Sequence, residues 1–177
     1  MADPLIERMK ADRGWLARQM ARVPGFKGYL ENTTIWEADR LVRQELARRL
    51  AEIKAPVNAA IQAASGDIRA GQSLGALEAL LTQADKAANQ VRFADYGHGA
   101  LTAKVKPREA DLARLLAFDR AMFERLSAAE SAAAALGSAG GAGAEALAAE
   151  LAAFEKQFAE RKFCLTATAA SAAGGAL

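Results

Sequence analysis

The chain of 177 residues is poor in the residue types that most chemistry draws on: it has one cysteine, one histidine, four prolines and 6% aromatics. A lone cysteine, Cys164, rules out an intramolecular disulfide and a cysteine-built zinc site. With His98 as the only histidine, and Asp95 three residues before it, the Glu-x-x-His pairs that build di-iron centres inside helical bundles are absent. Few aromatic and β-branched residues leave little to build a sheet, which excludes a mainly β fold. No apolar run approaches the roughly 18 residues that span a bilayer, and Met1 to Arg8 hold no apolar signal core. We therefore expect a cytoplasmic protein with neither metal nor cofactor.

What is abundant is alanine, 46 residues, which has the highest helix propensity and adds little buried area. The expected fold class is all-α, an antiparallel bundle of about five helices with one long kinked helix. Pro4 opens a first helix over residues 4–22, with Leu5, Met9, Leu16, Met20 and Val23 on one stripe, and Pro24-Gly25 ends it. Thr34 and Glu37 form a capping box for the long second helix. Its stripe runs Ile35, Ala38, Val42, Leu46, Leu50, Ile53, Val57, Ala60 and Ala64, in alternating steps of three and four. Pro56 lies inside this run and removes one hydrogen bond, which bends the helix or splits it; because the pattern continues to Ala64, a kink is expected. The third helix carries Leu74, Leu77, Leu81, Ala84, Ala88 and Val91; the fourth opens at Pro107 and carries Leu112, Leu115, Leu116, Met122, Phe123 and Leu126.

The C-terminal third reads differently. Residues 1–136 form the expected bundle core. Leu136 to Gly143 is small, uncharged and glycine-rich, and residues 137–143 read as a flexible linker. A last helix over residues 144–165, with Leu147, Leu151, Phe154 and Phe158, packs on the bundle, and residues 166–177 read as a disordered tail.

Candidate chemistry is sparse. Cys164, between Phe163 and Leu165, reads as a small buried thiol and not as a nucleophile paired with His98. Gly97-His98-Gly99 follows no strand, so it carries no phosphate-loop signal. Carboxylates such as Glu37, Asp39, Asp119 and Glu124 lie beside arginines on predicted polar faces and read as solvated ion pairs. No catalytic constellation is present, and we expect no enzyme. Two turns stand out as a tentative binding site. One holds Phe26, Lys27 and Tyr29; the other holds Arg92, Tyr96 and His98. In an antiparallel bundle the two lie at the same end. They form either one surface for a partner or aromatic plugs that close the bundle.

These segments, Pro24-Gly25-Phe26-Lys27-Gly28-Tyr29, Ala38-Asp39-Arg40-Leu41-Val42-Arg43 and Arg92-Phe93-Ala94-Asp95-Tyr96-Gly97, resemble a family of small all-helical bacterial proteins with no assigned activity. The likeness covers residues 5–126. It implies an all-helical protein and assigns no site.

With 23 basic and 21 acidic side chains interleaved along the chain, no cationic stripe marks a nucleic-acid partner. The heptad-like stripe of the second helix and the tethered last helix point to a protein partner or a homo-oligomer. The alternative is peripheral binding to an anionic surface, membrane or nucleic acid, through the basic N-terminal helix and the Pro24 to Tyr29 turn. Residues 1–22 hold five basic and three acidic side chains, a pattern interfacial helices share.

Overall fold

The computed structural model describes residue 11 and residues 14–19, 35–66, 71–94 and 109–174, and over these the fold is an all-α helical bundle with no strand. Five helices follow one another: α1 Ile35–Glu52, α2 Lys54–Ser65, α3 Gly71–Arg92, α4 Glu109–Ala134 and α5 Leu136–Gly174. Residues 14–19 are helical as well. The capping box at Thr34, the turn after the first predicted helix and the segment from Asp95 to Arg108 lie outside the described residues.

The long second helix of the sequence pattern is two helices, α1 and α2, separated by one residue, Ile53. Pro56 supplies the reason, since without an N–H it leaves the carbonyl of Glu52 without its usual donor four residues on. Pro56 thereby falls in the first turn of α2, where the missing N–H breaks no further bond. Ile53 itself keeps right-handed helical angles, φ −58 and ψ −26, and accepts a long 3.4 Å bond from the Val57 N–H. The interruption therefore costs one turn of ladder. The apolar stripe runs through it unbroken: Val42, Leu46, Leu50, Ile53 and Val57 are all buried.

The C-terminal third departs from the sequence expectation. Residues 137–143, read as a flexible linker, carry helical backbone within α5, and residues 166–174, read as a disordered tail, are helical too. Flanking alanines supply the propensity, and Leu136, Gly143 and Leu147 are buried, so the segment packs instead of hanging free. Glycine is not demanded by a turn at Gly137 or Gly141: neither has a positive φ, and a Cβ at either would meet nothing within 4 Å. The chain nevertheless reverses in this neighbourhood. Arg125 donates to Glu150 at 3.1 Å, whereas residues 25 apart on a straight helix lie ~37 Å apart. Ala135 is the described non-helical residue between them, and its N–H still reaches the carbonyls of Ser131 and Ala132 at 3.1 and 3.2 Å.

The expected single core over residues 1–136 is replaced by two compact units. The first is Met1–Glu45, Ala94–Phe123 and Phe158–Leu177; the second is Leu46–Phe93 and Glu124–Gln157. Unit 2 has a core of Leu46, Leu50, Leu80, Ala84, Leu126, Leu147 and Phe154, all buried. Its α2 packs against α3, and Lys54 Nζ bonds Asp85 Oδ1 across them at 2.7 Å. In α3 the buried stripe includes Leu80 and Ala87 beside the expected Leu77, Ala84, Ala88 and Val91, because the face turned inward is wider than one seam.

Unit 1 buries Leu16, Val42, Leu115, Leu116, Met122, Phe123 and Phe158. Trp15 meets Phe123 edge to face, with ring centroids 6.3 Å apart, and the Arg120 guanidinium lies over the same indole at 5.3 Å. The second distinctive feature of unit 1 is that its core is charged.

Candidate functional site

Of the six residues singled out in the sequence, Phe26, Lys27, Tyr29, Tyr96 and His98 lie outside the described residues. Arg92 ends α3 and is exposed, and Phe93 beside it is 73% exposed. Cys164, expected as a buried thiol, is only half-buried on α5, because its position falls between the inward stripe and the outward face that carries Phe163, also 73% exposed.

The site that the structure does assemble was missed in the sequence. Asp39 of α1, Asp119 of α4 and Arg161 of α5 are buried together in unit 1, which corrects the reading of Asp39 and Asp119 as solvated carboxylates. Arg161 grips Asp119 in a fork, Nε donating to Oδ1 at 2.7 Å and an Nη2 hydrogen to Oδ2 at 3.2 Å. Its Nη1 donates to Oδ1 of Asp39. The other oxygen of Asp39 accepts from Nε of Arg43 at 2.8 Å, one helical turn on, and Nη1 of Arg43 donates to the carbonyl of Ala94 at 3.1 Å. One guanidinium thus ties three helices together, and a second ties α1 to Ala94, two residues beyond α3.

Sequence does hold a signal for this cluster, one that a search for apolar stripes passes over. Each of the three charges sits in register with its stripe. Asp39 falls between Ile35 and Val42, Asp119 between Leu116 and Phe123, and Arg161 continues the steps Leu147, Leu151, Phe154, Phe158 by three more. A charge at a core step needs a partner of opposite sign, because a lone buried ion is too costly to keep. Two negative steps and one positive step are therefore complementary in sign.

The chemistry of this cluster is dominated by desolvation. Burial pushes the Asp119 carboxyl above the usual carboxylate range and the nearby Asp39 charge adds to that, while Arg161 opposes both through its charge and its hydrogen bonds. No substrate-sized group has access to side chains this enclosed, and the described residues contain no group of three histidine, cysteine or acidic residues placed to hold a metal. Among them, no helix is long and apolar enough to cross a membrane.

Unit 2 keeps its ion pairs at the periphery. Arg49 donates from Nε to Glu130 Oε1 at 2.7 Å and from Nη2 to Ser127 Oγ at 3.0 Å. Lys86 reaches Glu155 at 3.1 Å, and Arg125 spans Glu150 and Gln157, each at 3.1 Å. Comparison with protein-family models, curated proteins and solved structures finds no match to this chain.

Proposed function

We propose that this chain is a non-catalytic cytoplasmic helical-bundle protein that works through protein contacts, by self-association or by docking to a larger assembly. One observation carries the reading. Phe93 and Phe163 are each 73% exposed, whereas Phe123, Phe154 and Phe158 are buried. Large aromatic side chains at the surface are the residues that interfaces use most, because each buries a large area at little entropic cost. The buried cluster favours the same reading. Its arginine and carboxylates are committed to holding helices together, which is a scaffold's use of charge.

Sedimentation velocity across a concentration series tests this. The wild-type chain is expected to gain mass with concentration, or to be captured by a specific partner in pull-downs. The double variant Phe93→Ser/Phe163→Ser, with helical circular dichroism unchanged, is expected to lose that association. A wild-type chain that stays monomeric at high concentration and captures no partner overturns the reading.

A further inference from the structure

The four charged groups around Arg161 are not equivalent. The side chains of Asp39, Asp119 and Arg161 are 0–1% exposed, while that of Arg43 keeps 15%. Inside the sealed part of the cluster, two carboxylates share one guanidinium, and the second cation stands at its edge. Two like charges in one desolvated site cannot both ionise as freely as either alone, so one of them retains a proton to higher pH. We infer that the folded chain holds this proton on the Asp119 carboxyl, making unit 1 a pH-sensitive latch that is tightest on the acid side and loosens as the pH rises.

The hydrogen bonds choose Asp119 over Asp39. Asp39 accepts from two guanidiniums, Arg161 on one oxygen and Arg43 on the other. Arg161 alone forks onto Asp119, and its second limb, to Oδ2, is the long one at 3.2 Å. Oδ2 is therefore the oxygen that gives up least on taking a proton.

Among the described residues, Arg161 is the cation that acts on Asp119. From α5 the facing charge is Arg161, and from α1 it is Asp39 with Arg43 behind it. On α4 itself Arg120 is adjacent in sequence, but its guanidinium lies over Trp15. Arg18 and Arg40 are exposed, and Glu45, the other buried carboxylate of unit 1, would add negative charge, not offset it.

The direction of the pH dependence follows from linkage. Burial raises the proton affinity of Asp119 in the folded chain above that in the unfolded one, so between the two pKa values the folded state binds a proton that the unfolded state has released. Stability from this group is full below the ordinary aspartate value of about 4 and is lost as the pH rises through the folded value. An aspartate held by a simple ion pair behaves the opposite way and gains with rising pH.

Carboxyl carbon NMR on the full chain, with the Asp119 signal assigned by its loss in Asp119→Asn, tests the inference. The expected titration midpoint is above about 4; a midpoint at or below that value overturns it. Thermal melts of wild type and Asp119→Asn give a second reading, since the amide imitates a permanently protonated acid. Their difference cancels the titrating groups that do not interact with Asp119. The gap is expected to move in favour of the variant as the pH rises, by about 3–5 °C for each tenfold excess of folded over unfolded proton affinity. A gap without pH trend, or one that moves toward the wild type, overturns the latch. Should the variant fail to fold, assigning Asp119 by other means leaves the wild-type titration as the deciding test.

Discussion

The two units use the same alphabet of alanine, leucine, arginine and carboxylates, but they place charge in opposite ways. In unit 2 the helix stripes are apolar throughout, and ion pairs such as Lys54 with Asp85 and Lys86 with Glu155 lie on partly exposed side chains around the core. In unit 1 three stripes each carry a charge at a core step, and the ions meet inside. The difference teaches what each arrangement specifies. A stripe of leucine and alanine tolerates sliding by a turn, because the next leucine fits nearly as well. A buried arginine that must meet two carboxylates from two other helices has one solution, so it fixes register and partner choice even where its net contribution to stability is small. Arg161 therefore does for unit 1 what volume complementarity does for unit 2.

Four variants break or sharpen this contrast. The largest effect is expected from Arg161→Ala, which leaves the buried Asp39 and Asp119 carboxyls without the guanidinium they share and costs about 3–5 kcal/mol. Chemical denaturation measures the loss, and hydrogen exchange is expected to show protection falling first in residues 35–45, 109–123 and 158–174. Pairing Arg161→Met with Asp119→Leu, which keeps Asp39 with Arg43, is expected to recover most of that loss. Recovery would show that the penalty came from orphaned charge and not from missing volume. In unit 2, Leu147→Ala is expected to cost about 2–5 kcal/mol through transfer and cavity terms, with no rescue by any change of charge. Its loss of protection is expected in residues 46–66, 71–93 and 124–157. The smallest effect belongs to Lys86→Ala at the periphery of unit 2, where the exposed Lys86 meets a half-buried Glu155 and the pair contributes about 1 kcal/mol, less in high salt. A salt titration of the melting temperature separates it from the core variants, whose losses are expected to persist.

Much of the helical layout was legible from periodicity alone. The stripe from Val42 to Val57 is buried as spaced, and so are Leu115, Leu116, Met122, Phe123 and Leu126 on α4 and Leu147, Leu151, Phe154 and Phe158 on α5. The glycine-rich segment misled because composition was read without its context. Glycine disfavours helix by only about 1 kcal/mol relative to alanine, and the surrounding alanines with buried Leu136 and Leu147 outweigh that. Asp39 and Asp119 misled for the opposite reason. Asp39 has Arg43 at helical spacing and Asp119 has Arg120 next to it in sequence, and a local pair is the simplest account of a charge until the fold supplies a more distant one. Arg43 does pair with Asp39 as the spacing implies, yet the carboxylate is buried because Arg161, 122 residues away in sequence, takes its other oxygen.

By itself the sequence determined the all-α class, the inward faces of most helices and that the helix is disturbed at Pro56, because backbone propensity, periodicity and a missing N–H are local properties that need no neighbour. Tertiary structure decided the pairs that join different helices, such as Arg49 with Glu130 and Arg161 with Asp39 and Asp119, and that Asp119 loses its water. These depend on distances between residues far apart in the chain and on the solvent each approach removes, and an electrostatic interaction takes its strength from that environment and not from the residue type.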